Sequence, residues 1–150
     1  MKRFVALLIS CVLVLSLCSL PTVAAEPGDI LVKQTVEFLD NGDSITTEVY
    51  ECAVQPRSTK TGYASATYKN SAGTAIWKVT VTGTFTYNGT SSSATSASAS
   101  VSTYTTKAEF ISKNAYTSGK TATATGTVKY DLYQTTRSVS VSCDKNGNLY

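Results

Sequence analysis

Alternation of apolar and polar residues along residues 74–87 predicts a long β-strand. Its odd positions carry the apolar side chains and one glycine: Ala75, Trp77, Val79, Val81, Gly83, Phe85 and Tyr87. Its even positions are mostly threonine: Thr74, Ile76, Lys78, Thr80, Thr82, Thr84 and Thr86. Because successive side chains of a strand point to opposite faces, one face is apolar and the other is a threonine ladder. The run is longer than a usual strand, so Gly83 is expected to mark a bulge or bend.

The same two-residue period recurs further along the chain. Residues 121–133 alternate in the even phase, and a turn is expected at residues 134–136. Residues 137–143 then point Val139, Val141 and Cys143 inward. Residues 63–69 and 107–116 are also predicted strands, and the small, polar stretch 90–106 is predicted to be an edge-type strand.

Asn-Gly pairs separate several of these runs. Asn41-Gly42 lies between the strand-like residues 35–39 and 44–51, and Asn88-Gly89 and Asn146-Gly147 follow later runs. Asn-Gly tolerates the positive φ angles that tight hairpin turns require. Residues 26–51 are therefore predicted to form a hairpin, which docks on the remaining chain, dimerises or stays loose, because two strands alone are marginal in water.

These patterns predict an all-β fold, because no helical period follows the N-terminal segment. Strands with one apolar face each must bury those faces against one another, and two packed antiparallel sheets do so. We expect a two-sheet β-sandwich of immunoglobulin-like size, with a small open β-barrel as the alternative. The expected organisation is a signal peptide (1–25), an arm or hairpin (26–51), a linker (52–62) and a β-sandwich domain (63–150).

The N-terminal segment has the pattern of an export signal. Lys2 and Arg3 precede a 14-residue, mainly apolar run at 4–17, which is too short for a membrane-spanning helix. Small residues end the segment, which predicts cleavage between Ala25 and Glu26. A lipid-modified Cys18 and an uncleaved anchor are the alternatives. No second long apolar run follows, so we expect a secreted or surface-associated protein without a transmembrane segment after cleavage.

Charge divides the mature chain into two parts. Residues 26–51 carry seven acids and one base, a net charge of −6, whereas residues 52–150 carry ten bases and three acids, a net charge of +7. The acidic arm and the basic domain can attract each other, or the domain can meet an anionic surface such as a cell wall.

Two cysteines follow the signal segment, Cys52 and Cys143. Outside the cytoplasm they can form a disulfide. On the loop-entropy model such a bond would add about 4–5 kcal/mol. The alternative is that Cys52 and Cys143 both remain reduced thiols.

Catalytic and metal-binding signatures are missing from the sequence. The chain has no histidine, which excludes Ser-His-Asp and Cys-His mechanisms and the common zinc sites. Residues 63–150 hold three carboxylates, Glu109, Asp131 and Asp144, with no spacing that pairs them. Asp144-Lys145-Asn146-Gly147 resembles a fragment of a calcium loop but lacks the distal glutamate, and a turn explains it. We therefore expect no enzyme activity, no catalytic residue, no metal and no cofactor.

Binding is the remaining class of function. Nine tyrosines are many for this length, and exposed tyrosines beside threonine and asparagine can stack on sugar rings. Lys69, Lys78, Lys129 and Tyr133 are the candidate binding residues, on sheet faces. Nucleic acid is not expected, since the basic residues form no cluster.

One further run resembles other proteins. Residues 68–73 (YKNSAG) and 77–89 (WKVTVTGTFTYNG) are similar to a group of small exported proteins of Gram-positive gut bacteria, with a signal peptide, an acidic arm and a Thr/Ser-rich β domain. The resemblance implies an exported bacterial protein and carries no known activity.

Two functional hypotheses follow. The first is a non-enzymatic extracellular protein that binds the cell envelope or a surface glycan through a β-sheet face. The second is a secreted interaction factor, an inhibitor or toxin-like protein that binds another extracellular protein and whose acidic arm is a pro-segment, removed after Arg57 or Lys60.

Overall fold

A computed structural model describes residues 28–53 and 58–150, and their regular structure consists of eight β-strands. These are β1 (Ile30–Phe38), β2 (Ser44–Glu51), β3 (Thr59–Lys69), β4 (Ala75–Tyr87), β5 (Ser92–Thr103), β6 (Ala108–Ser118), β7 (Thr121–Tyr130) and β8 (Tyr133–Ser142). The predicted signal peptide and Arg57 lie outside the described residues.

The strands form two antiparallel sheets, with the order β1-β2-β3-β4-β5 in one and β6-β7-β8 in the other. Every neighbour within a sheet is also a neighbour in sequence, so each sheet is a meander and the chain changes sheets once, between β5 and β6. The described strands form two separate sheets and not the alternative barrel. This confirms the predicted all-β sandwich.

The core lies between the two sheets and follows the predicted phases. Val79, Val81 and Phe85 of β4 are buried, and so are the apolar residues Ala122, Ala124 and Val128 of β7 and Val139 and Val141 of β8. The pairing of β4 with β5 shifts register between Thr84 and Phe85, where Thr95 of β5 is the extra residue, whereas Gly83, the expected site of a bulge, pairs regularly with Ala97.

Two glycines allow the sheets to approach each other. A Cβ on Gly83 would lie 2.7 Å from the Cβ of Ala122 in the opposite sheet. A Cβ on Gly126 would lie 2.5 Å from Val79 Cγ2 and 2.7 Å from Val101 Cγ2. Real Cβ atoms essentially never come this close to another atom, so both positions require glycine at the present sheet separation.

The acidic arm is part of the larger sheet. β2 pairs with β3 along its whole length, from Ser44 with Lys69 to Glu51 with Gly62, and Ile45 and Val49 are buried in the shared core. Of the three expected fates of the hairpin, docking is the one observed. The linker was expected to reach Gly62, but β3 begins at Thr59, because the end of β4 supplies pairing partners for its first residues, Thr86 for Thr59 and Phe85 for Lys60.

Charge also joins the arm to the rest of the sandwich. Arg137 Nη2 of β8 donates a hydrogen bond of 2.5 Å to Glu37 Oε2 of β1. Lys60 of β3 forms a half-buried ion pair with Glu51 of β2. The expected attraction between the acidic and basic parts is therefore observed within one molecule.

The predicted turns are found at Gly42, Gly89 and Gly147, which all have positive φ. The turn expected at residues 134–136 was wrong. Tyr130 pairs with Tyr133, so the turn is Asp131-Leu132, and Asp131 itself adopts a positive φ of 51°. Aspartate tolerates this conformation because its short polar side chain hydrogen-bonds locally.

Candidate loop-end groove

The predicted disulfide is not formed in the structure. Cys143 is fully buried in the core between the sheets. Glu51 of β2 lies on the inner face of the five-stranded sheet, where it forms an ion pair with Lys60. Because successive side chains alternate between the two faces, the next residue, Cys52, is on the outer face of that sheet. The two sulfurs are therefore separated by the sheet, although a hydrogen bond from Cys52 N to Thr61 O continues the β2–β3 ladder.

Burial makes the thiols of Cys52 and Cys143 weaker acids than an exposed cysteine. It raises the pKa of Cys52, and the nearby carboxylates of Asp29 and Glu51 raise it further. Burial likewise raises the pKa of Cys143. Since the thiolate is the nucleophilic form of cysteine, a raised pKa makes both thiols less reactive at neutral pH.

The four predicted binding residues do not form one site. Lys78 lies on the outer face of the five-stranded sheet, opposite Thr67 and Ser102, where burial lowers its pKa. Lys69 is buried. Lys129 lies on the outer face of the smaller sheet, between Glu109 and Gln134. Tyr133 is 77% exposed at the start of β8.

The outer face of the smaller sheet uses its hydroxyl groups internally. Four pairs span β7 and β8 at 2.7–2.9 Å: Thr121 with Ser142, Thr123 with Ser140, Thr125 with Ser138, and Thr127 with Thr136. Each hydroxyl thus has a partner before any ligand arrives, and this pairing accounts for much of the threonine-rich pattern. This geometry gives little support to a binding site on the outer face of the smaller sheet.

A groove instead lies at one end of the sandwich, where three turns meet. Its volume is about 360 Å³, and its lining is Thr90, Ser91, Ser92, Lys120, Asp144 and Lys145. A smaller depression of about 110 Å³ adjoins it and shares Ser91 and Ser92. We call the larger depression the loop-end groove.

Hydrogen bonds between the three turns build this groove. Gly89 N of the β4–β5 turn donates to Lys145 O at 2.9 Å, and Cys143 N donates to Lys120 O at 3.1 Å. Ser92 Oγ donates to Cys143 O at 2.6 Å. The lining therefore rests on a cross-linked backbone rather than on separate mobile loops.

Two of the three turns are also stabilised by their own asparagine or aspartate. Asn88 Oδ1 accepts hydrogen bonds from Thr90 N at 3.0 Å and Ser91 N at 2.9 Å. Asp144 Oδ1 accepts from Asn146 N at 2.8 Å and Asn148 N at 2.9 Å. Asn148 Nδ2 donates to the other carboxylate oxygen at 2.8 Å. Both oxygens of Asp144 therefore serve the turn, as the sequence predicted.

Positive charge dominates the groove. Neither Lys120 nor Lys145 forms an ion pair within residues 28–53 and 58–150. Lys120 Nζ lies 5.2 Å from the ring centroid of Tyr150, and contact with Tyr150 raises the pKa of Lys120, which keeps it charged. Hydrogen bonds from Asn148 lower the pKa of Asp144, so this carboxylate stays ionised and committed to its turn.

Sequence reasoning did not identify Lys120 and Lys145 as site residues. They are isolated in sequence, and only the folded turns bring them to one groove. Gly119-Lys120 and Asp144 to Gly147 are recognisable as turns in the sequence. A lysine inside each of these turns was therefore the one local feature that could have indicated the groove.

The described residues give no sign of two other kinds of site. No group of three or more His, Cys, Asp or Glu side chains in them is placed to hold a metal ion. The described part of the chain also contains no helix long and apolar enough to span a membrane.

Comparison with known proteins found no family model, curated protein or solved structure that matches the chain. Any function must therefore be argued from the residues of the loop-end groove and the surfaces around it.

Proposed function

We propose that this chain is a secreted, non-enzymatic binding protein whose loop-end groove holds an anionic segment of a cell-envelope polymer or surface glycan. The observation that carries the proposal is the position of Lys120 and Lys145 at one groove, beside the hydroxyl groups of Thr90, Ser91 and Ser92. Two ammonium groups against the single carboxylate of Asp144 leave the groove with a net positive charge, which attracts phosphate or carboxylate, and the hydroxyls can hydrogen-bond to sugar.

The size and position of the groove support a saccharide ligand. A volume of about 360 Å³ lies at the lower end of small-ligand sites, which span about 300–1,000 Å³. Tyr150 is 45% exposed beside Lys120, so its ring can stack on a sugar while the lysine meets an acidic group. Loops on a rigid scaffold are also where binding residues concentrate.

Co-sedimentation of residues 26–150 with insoluble cell wall, at low and high salt, tests the proposal. We expect Lys120→Ala combined with Lys145→Ala to weaken binding about tenfold or more, because charge-assisted hydrogen bonds contribute about 1.5–3 kcal/mol each. The matched control removes Lys113 and Lys129, which are exposed outside the groove and carry the same total charge.

Equal loss in both double variants would show a response to net charge alone and would contradict a site at the groove. Absence of binding to any wall polymer by the unaltered protein would also contradict the proposal. Binding that survives high salt in the unaltered protein but is lost in Tyr150→Ser would assign the main contact to ring stacking beside the lysines.

The alternative of a removable acidic pro-segment fits the fold less well. Cleavage after Arg57 or Lys60 would remove β2 with its buried Ile45 and Val49. It would also expose the edge of β3, which now pairs with β2. The arm has the contacts of a structural part of the sandwich.

A further inference from the structure

β1 is an edge strand with an exposed apolar surface. It is the last strand of its sheet, with β2 as its neighbour, and its backbone groups on the other side are available to a further strand. Five large apolar side chains of β1 are exposed: Ile30, Leu31, Val32, Val36 and Phe38. Phe38 is 80% exposed. A long edge strand with this composition favours pairing with another strand.

The other sheet edges are better protected. β5 and β6 pack against each other at one side of the sandwich, where Ala94 N donates to Gly119 O at 2.8 Å. At the end of β8, Ser142 and Tyr150 exchange two backbone hydrogen bonds of 3.0 Å. Within the described part of the chain, β1 thus differs from β5 and β6, which pack on each other, and from β8, whose outer side is covered at Ser142.

The sequence of β1 is complementary to itself in an antiparallel arrangement. When two copies pair with Thr35 opposite Thr35, Lys33 of each copy lies opposite Glu37 of the other. On the other face of the strand, the two Val36 side chains become diagonal neighbours. Opposite charges and apolar pairs across strands each contribute about 0.2–1 kcal/mol.

The irregularity in β1 leaves this arrangement intact. The register shift with β2 lies between Leu31 and Lys33, so residues from Lys33 to Phe38 pair regularly. Glu37 also meets Arg137 of its own chain, and the Lys33 of a second copy would complete a network of two cations around each Glu37.

We propose that the protein forms a symmetric dimer in which β1 pairs antiparallel with β1 of a second copy. The two five-stranded sheets then form one continuous sheet. Each dimer carries two loop-end grooves, so the protein can engage two sites of a repetitive polymer at once.

Sedimentation equilibrium of residues 26–150 over a wide range of concentrations tests the dimer. Lys33→Glu places two carboxylates opposite each other at both symmetric positions, and we expect its dimer dissociation constant to rise about tenfold or more. Combining Lys33→Glu with Glu37→Lys reverses the pair and should restore much of the affinity, although the Arg137 contact is lost.

Val36→Lys gives a second test, because it brings two lysines together in the dimer at a site that is exposed in the single chain. In sedimentation equilibrium the Val36→Lys variant should have the mass of a single chain. Ile111→Lys on β6 is the matched control, since Ile111 is similarly exposed, and it should leave the dimer unchanged. A single-chain mass of the unaltered protein at every concentration would overturn the proposal. Dissociation by Ile111→Lys but not by Val36→Lys would do the same.

Discussion

Replacing Ile45 by alanine tests whether the arm is part of the cooperative fold. Ile45 lies on β2, is only 7% exposed and pairs in register with Tyr68 of β3. The ring of Tyr68 stacks on Trp77, with centroids 5.6 Å apart. The substitution therefore removes buried atoms next to the aromatic pair that fills this part of the core.

The expected cost follows from burial. Truncating a buried isoleucine to alanine costs about 2–5 kcal/mol, since both transfer energy and cavity formation contribute. We expect about 3 kcal/mol here, a large fraction of the roughly 5–15 kcal/mol that stabilises a typical domain. With a urea slope of about 1.5 kcal/mol per molar, the unfolding midpoint falls by about 2 M.

Urea unfolding followed by tryptophan fluorescence measures this change, because Trp77 is the only tryptophan and is buried in the core. Phe38→Ala on the exposed part of the arm is the control, and its midpoint should stay nearly unchanged at protein concentrations below dimerisation. An unchanged midpoint for Ile45→Ala would refute the reasoning, since it would mean that β2 and the Trp77 region unfold independently.

Two further predictions concern packing and thiols. Gly126→Ala should destabilise the protein by about 1–3 kcal/mol in urea unfolding, because the new methyl group meets Val79 and Val101 of the opposite sheet; a cost near zero would contradict close contact of the sheets. Alkylation followed by mass spectrometry should label Cys52 slowly in the native protein, since burial raises its pKa, and Cys143 only after unfolding. Labelling of Cys52 should accelerate as the pH rises towards that raised pKa, and no labelling after unfolding without reductant would reveal a disulfide.

The sequence predicted the sandwich because its signals are local. In β4 a strict two-residue period separates Val79, Val81 and Phe85 from the threonines, and this period alone assigns each side chain to a face. The Asn-Gly turns are local as well, because the required positive φ belongs to one or two residues. These elements are therefore predicted correctly even without knowledge of their neighbours in space.

The candidate site could not be predicted in the same way. Lys120 and Lys145 meet because three turns are joined by hydrogen bonds such as Gly89 N to Lys145 O, and no sequence period encodes that contact. The predicted disulfide is not formed, for a related reason. Its pairing was inferred from the number of cysteines, whereas the fold places Cys143 in the core between the sheets and Cys52 on the other side of the five-stranded sheet.

The union of the arm with the domain was also beyond local reasoning. The composition of residues 26–51 indicated a separate acidic segment, but Ile45 and Val49 are the two apolar positions of β2 that face the core. Their spacing of four, an even number, keeps them on one face, and two such positions are too few to show that a hairpin joins a larger sheet.

Binding of an anionic saccharide in the loop-end groove is the function that we propose for this protein. An NMR titration of ¹⁵N-labelled residues 26–150 with soluble, phosphate-bearing cell-wall fragments tests it most directly. We expect chemical-shift changes centred on Ser91, Lys120 and Lys145, which are lost in the double Lys120→Ala, Lys145→Ala variant. Changes centred on the sheet faces around Lys78 or Lys129, or no change at saturating fragment, would contradict it.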